Sequence, residues 1–119
     1  MKGNNVILDK SKAFAVRIIK LYKYLCDEKK EFTLSKQLLR SGTSIGANVK
    51  EAIRGQSKPD FIAKMSIALK EASETEYWLE LLYETEYLDK IQFDSIYAYN
   101  LELIKILMSI VKSSNERRT

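Results

Sequence analysis

RSGTSIGANVKEAIRG, residues 40–55, is the stretch whose reading decides the fold. On both sides of it, apolar residues recur every three or four positions, the helical period. Inside it stand Gly42, Gly46, Ser41, Thr43, Ser44 and Asn48, residues that loosen helices or open turns. Three readings compete: a loop, a glycine-rich phosphate cradle, and a helix thinned for close packing. Placed on a helix, the segment carries two seams. Leu34, Leu38, Ser41, Ile45, Asn48 and Ala52 follow spacings of four, three, four, three and four, while Leu39, Gly42, Gly46, Val49 and Ile53 follow three, four, three and four. A loop would not keep that register. A phosphate cradle needs a strand before its glycines and a lysine at the Walker spacing, and neither is present. The surrounding charges exclude a membrane dimerisation face. The helix reading remains, with Gly42 and Gly46 one turn apart where a neighbouring backbone can approach. Each interior glycine costs about 0.5–1 kcal/mol relative to alanine, so a packing return is expected.

Working outward, the spacing predicts a helix over about 8–27. Phe14, Ile18, Leu21 and Leu25 form its stripe, with Ala15, Ile19, Tyr22 and Cys26 beside it and lysines opposite. DEKKE (27–31) is a charged connector. The central helix spans about 33–55, stopped at Gly55. In SKPD (57–60), Ser57 is a cap, Pro59 suits a first turn, and Asp60 sits favourably at the N-terminal dipole. A third helix follows over about 59–88, with Phe61, Met65, Ala68, Ala72, Leu79 and Leu82 in its stripe. A fourth covers about 93–112, with Ile96, Tyr99, Leu103, Ile106 and Ile110, and residues 113–119 form a polar tail expected to fray. No segment alternates with period two over strand length. The expected fold is therefore all-α: one domain over 1–119, an antiparallel up-down four-helix bundle.

The 119 residues, 45% apolar and 30% charged, fit one soluble globular domain. No apolar run reaches the roughly 20 residues needed to span a bilayer, and the N-terminus does not read as a signal peptide. A lone cysteine, Cys26, excludes an internal disulfide, makes the cytoplasm the simplest location, and reads as a packing residue. There is no histidine, which removes Cys/His zinc sites and histidine acid–base chemistry. Ser-Lys or paired-carboxylate catalysis stays formally open, but nothing in the spacing singles it out. Charge is unevenly spread: residues 1–70 carry 15 Lys/Arg against 6 Asp/Glu, residues 71–104 carry only Lys90 against 9 acids, and residues 105–119 carry 4 bases against 1 acid. Such asymmetry fits either a basic face for an anionic partner or basic and acidic elements packed together.

Two sets of candidate residues follow. Arg40, Ser44, Asn48 and Glu51 share a helix face flanked by Ser41, and the third helix offers Glu71, Glu74 and Trp78. Together they suggest a polar helix–helix or subunit interface, with Arg40 bonding a carboxylate. The competing reading is a solvated edge. A bridged di-metal site lacks its Glu-x-x-His motif, so no metal or cofactor is expected. The second set is basic: Lys12, Lys20 and Lys23 on the first helix, and Lys36, Arg40, Lys50 and Arg54 on the second. Lys50 and Arg54 lie one turn apart, as a phosphate clamp would. Each is also readable as a solvated surface charge. Nothing looks like an RNA-recognition sheet or a base-stacking motif, so binding would be directed at the backbone.

LLRSGTSIGANVKEA (38–52), the DFI of 60–62, SIALKEASETEYWLELL (66–82) and LIKILMSIVKSS (103–114) resemble the four-helix-bundle proteins encoded within intervening sequences of bacterial 23S ribosomal RNA genes. The likeness covers nearly the whole chain. Its most specific part is RS-x-x-SI-x-AN-x-x-EA, matched by Arg40, Ser41, Ser44, Ile45, Ala47, Asn48, Glu51 and Ala52. KEA-x-ET-x-YWL follows, matched by Lys70, Glu71, Ala72, Glu74, Thr75, Tyr77, Trp78 and Leu79. Many relatives have glycine near position 53, whereas here EAIRG brings it at Gly55. The resemblance implies a bundle assembling as a ring, commonly a homopentamer, with no enzymatic activity. A related branch comprises accessory proteins of diversity-generating retroelements, whose basic ring binds nucleic acid and a reverse transcriptase. The expectation is a non-enzymatic homo-oligomer binding RNA or other nucleic acid, with no membrane association. Its alternative is a structural or adaptor oligomer for a protein partner such as a reverse transcriptase.

Overall fold

In the computed structural model, which describes residues 2–118, residues 40–53 are continuous helix. Four helices are present: α1 (Lys2–Asp27), α2 (Leu34–Ile53), α3 (Lys58–Glu84) and α4 (Lys90–Arg118). Among the described residues there is no strand. Each helix touches its two neighbours in cyclic order and neither diagonal pair meets, so the bundle has a square section. α1 and α4 touch least. The body measures 48 × 21 × 21 Å, the proportions of long helices side by side.

One core joins all four helices. Phe14, Ile18 and Leu25 of α1 meet Leu38, Ile45 and Val49 of α2, Met65, Leu79 and Leu82 of α3, and Leu103 and Leu107 of α4, all fully buried. The glycines set the α1–α2 approach. A Cβ at Gly42 would lie 2.8 Å from both Cγ atoms of Ile18, and one at Gly46 would lie 3.3 Å from the backbone oxygen of Ser11. The expected backbone approach thus occurs at Gly46, while Gly42 receives a side chain.

Helix ends differ from expectation for local reasons. α1 starts before residue 8, across Gly3, Asn4 and Asn5, and continues into Ile7, which is fully buried. Core burial there outweighs weak propensity. α4 extends through the tail expected to fray, as far as Arg118, and Ser114 is still buried. Position 119 lies outside the described residues. α3 ends at Glu84 rather than near 88. Glu86 takes φ 70°, its N–H bonds Tyr83 O at 3.0 Å, and the Tyr87 N–H bonds Leu82 O at 2.9 Å, which is a Schellman closure. Leu88 then tucks into the core. α2 ends at Ile53 with Arg54 as its cap; Gly55 keeps φ negative, and a side chain there would strike Asp60. Ser57 caps α3 as expected, accepting from the Asp60 N–H at 3.1 Å, with Pro59 in the first turn.

The start of α2 is held by a residue that the sequence reading left in the connector. Glu31 is buried; its Oε1 accepts from the N–H groups of Leu34 (2.9 Å) and Thr33 (3.3 Å), and its Oε2 from Ser35 (2.7 Å). Burial pushes the Glu31 carboxyl up, but the amides of Leu34, Ser35 and Thr33 outweigh it and hold the group below its ordinary range. Thr33, at the capping position, makes no side-chain cap.

Candidate nucleic-acid interface

Successive residues on α2 place Lys36, Arg40, Thr43, Ala47, Lys50 and Arg54 on one outer stripe, at spacings of four, three, four, three and four. Lys36, Arg40, Lys50 and Arg54 are exposed. α1 runs antiparallel beside it: Ser11 meets Gly46, Ile18 meets Gly42, and Cys26 Sγ lies 3.8 Å from Ser35 Oγ. That register brings Lys23 level with the first turn of α2 and Lys20 level with Arg40, and puts Lys12 near the Gly46 turn, on the Lys50 side. Lys12, Lys20 and Lys23 are exposed as well.

Arg40 differs from its neighbours on the stripe. Its Nη2 donates to Glu74 Oε1 and its Nη1 to Glu71 Oε2 at 3.3 Å, both from α3. Trp78 Nε1 donates to the same Glu74 oxygen at 3.1 Å. Arg40, then Trp78, hold the Glu74 carboxyl below its usual range, and the same carboxylates raise Arg40. With its charge met twice, Arg40 belongs to the α2–α3 seam and adds little to the basic stripe. The other six cations, Lys12, Lys20, Lys23, Lys36, Lys50 and Arg54, form no ion pair among the described residues.

The remaining residues of the polar seam divide three ways. Ser41 is buried and its Oγ is hydrogen-bonded to Thr75 Oγ1 at 2.9 Å, joining α2 to α3. Ser44 and Asn48 turn back on their own helix, to the carbonyls of Arg40 (2.6 Å) and Ser44 (2.9 Å). Glu51 pairs with Lys64 at 3.1 Å rather than with the seam. Glu71 and Thr75 are joined by a 2.8 Å bond from Thr75 Oγ1 to the Glu71 carbonyl. Within the chain, the seam is centred on Arg40, Glu71, Glu74 and Trp78.

The opposite side of the bundle is acidic and aromatic. Tyr83, Phe93 and Tyr97 stack at 4.3 and 4.6 Å between ring centres. Tyr97 Oη lies 2.6 Å from Glu80 and 3.0 Å from Glu76, which, with burial, push the phenol well above its usual value. Glu84 and Asp94 are exposed nearby. Sequence reasoning saw the acidic excess of this region but not its aromatic stack, because Tyr83 and Phe93 belong to different helices. Closure of α1 on α4 was also missed: Lys10 pairs with Glu102 at 3.0 Å, Tyr99 Oη donates to the Lys10 carbonyl at 2.8 Å, and Arg17 donates to Ser95 at 2.9 Å.

Among the described residues, no three His, Cys, Asp or Glu side chains converge as a metal site would need. No described helix is long and apolar enough to cross a membrane.

The family model for the 23S rRNA-intervening sequence protein matches residues 3–109. The chain belongs to that family. Its fold is also similar to a crystal structure from Bacteroides thetaiotaomicron, described as a protein with unknown function from the S23 ribosomal protein family. The two are 60% identical with a TM-score of 0.91, over 92% of this chain and 98% of the other. Among curated proteins, none matches.

Proposed function

We propose that this member of the 23S rRNA-intervening sequence family is a non-enzymatic, self-assembling cytoplasmic protein that binds nucleic acid through the α1/α2 face. One observation carries the reading: six exposed cations on that face have no carboxylate partner among the described residues, while Glu76 and Glu80 of α3 gather with Tyr97 on the opposite side. Had the uneven charge served only internal pairing, these cations would have been spent on the acids. Of the cations of α1 and α2, Arg40 and Lys10 are so used. A ring of copies, a pentamer by the family resemblance, would multiply the basic face and strengthen binding through multivalency.

Binding to a structured RNA, followed by fluorescence anisotropy from about 50 mM salt upward, tests the reading. Affinity should be greatest at low salt and fall steeply, because phosphate contacts release counterions. No binding at about 50 mM overturns it. Native mass measurement of the same sample tests assembly, and a monomer at micromolar concentration contradicts that part.

A second reading is favoured by the acidic, aromatic α3/α4 side. The stack of Tyr83, Phe93 and Tyr97 beside Glu76 and Glu80 suits a basic protein partner, such as a reverse transcriptase, held by an adaptor oligomer. Recovering the native protein with nothing but copies of itself counts against it.

A further inference from the structure

The six unpaired cations are not spread evenly. Lys36 and Lys50 lie 14 positions apart on one stripe of α2, about 21 Å at 1.5 Å per residue. Between them the stripe holds Arg40, neutralised by Glu71 and Glu74, then Thr43 and Ala47. On α1, Val16 and Ile19 are exposed at the same level. The face therefore carries two cationic clusters, Lys20, Lys23 and Lys36 at one end and Lys50 and Arg54 with Lys12 at the other. A saddle without free charge separates them, about 21 Å long on α2 and about 12 Å on α1, between Lys12 and Lys20. The saddle is also shallow, because Gly42 and Gly46 let α1 and α2 lie side by side as one broad surface.

Proteins that bind single strands use a continuous cationic track with exposed rings on which bases stack. This face offers neither: among the described residues the strongly exposed rings are Phe32, in the α1–α2 connector, and Tyr77, on α3. Two helices abreast are also too broad to enter a B-form major groove about 12 Å wide. An A-form duplex instead presents a wide, shallow minor groove lined by 2′-hydroxyls and flanked by two rows of phosphates. Resting on the nucleic-acid reading above, we propose that the α1/α2 face is a double-stranded RNA site. Its two clusters grip the phosphate rows on either side of the minor groove, and the Thr43–Ala47 saddle lies over the sugars. Recognition is of shape and backbone, without sequence preference.

The test compares three probes at about 50 mM salt: a blunt RNA duplex of roughly 16 base pairs, an unstructured RNA strand of equal length, and a DNA duplex of equal length. The RNA duplex should bind at least tenfold more tightly than either of the others. The double variants Lys20→Ala/Lys23→Ala and Lys50→Ala/Arg54→Ala should each weaken duplex binding and lower the salt slope by about 2, one unit per lost phosphate contact. All replaced residues are exposed, and circular dichroism with native mass confirms fold and assembly. A single strand or DNA duplex bound as tightly as duplex RNA overturns this inference and leaves the broader nucleic-acid reading intact. So does unchanged duplex affinity in both variants. Failure of all three probes to bind overturns both.

Discussion

A methyl group at position 42 would meet the branch atoms of Ile18 at 2.8 Å, closer than side chains pack. Those atoms belong to a fully buried, β-branched side chain with little freedom to move. Gly42→Ala should therefore destabilise by about 1–2 kcal/mol, overpacking exceeding the gain in helix propensity. Gly46→Ala, with its nearest contact at 3.3 Å, should fall within about 0.5 kcal/mol of the wild type. Urea midpoints of the two variants check the order; a stabilised Gly42→Ala protein contradicts the account of the α1–α2 contact. Arg40 carries a different lesson. Its fit to acids on α3 was legible from the shared face of Arg40, Glu71 and Glu74, but its place on the basic stripe was equally legible. Only the ion pairs to Glu71 and Glu74 decide between them. Ser44 and Asn48 share the helical face of Arg40, yet bond to carbonyls one turn back, a choice of rotamer that spacing does not encode.

At the scale of elements, the helical register passed intact through the small residues because the seams of α2 are fixed by burial of Leu38, Ile45, Val49 and Ala52. Helix ends were less legible, since they depend on caps formed by unexpected residues. Glu31 is one. Its carboxyl is held below the unfolded value, so its stabilising contribution is complete above the ordinary carboxylate range and is lost as pH falls through the lowered folded value. Glu31→Gln should cost about 1 kcal/mol near pH 7, in the range of lost N-caps. The gap between variant and wild type should narrow below about pH 4. Chemical denaturation at the two pH values reads this directly, and a gap that widens in acid contradicts the capping role. Glu86 is the other: at φ 70° it occupies the position where glycine carries no Cβ penalty. Glu86→Gly should stabilise by roughly 1 kcal/mol, seen as a higher urea midpoint with an unchanged slope. The sequence holds no glycine there, and so gave no stop before Leu88.

For the whole molecule, the sequence exposed the charge asymmetry but could not say whether opposite charges met. Pairing consumes Arg40, Lys10, Lys64 and Lys90, and leaves six cations of the α1/α2 face unpaired among the described residues. If all six engage phosphates, the salt slope should be about −4 to −5. Binding should then fall several hundredfold between about 50 and 200 mM salt. The most direct test is lysine footprinting, in which an amine-reactive reagent modifies the assembled protein with and without duplex RNA and mass spectrometry reads each site. RNA should protect Lys12, Lys20, Lys23, Lys36 and Lys50 while leaving Lys70, Lys90 and Lys105 as reactive as before. Protection of the second group, or none of the first, would contradict the assignment of nucleic-acid binding to this face.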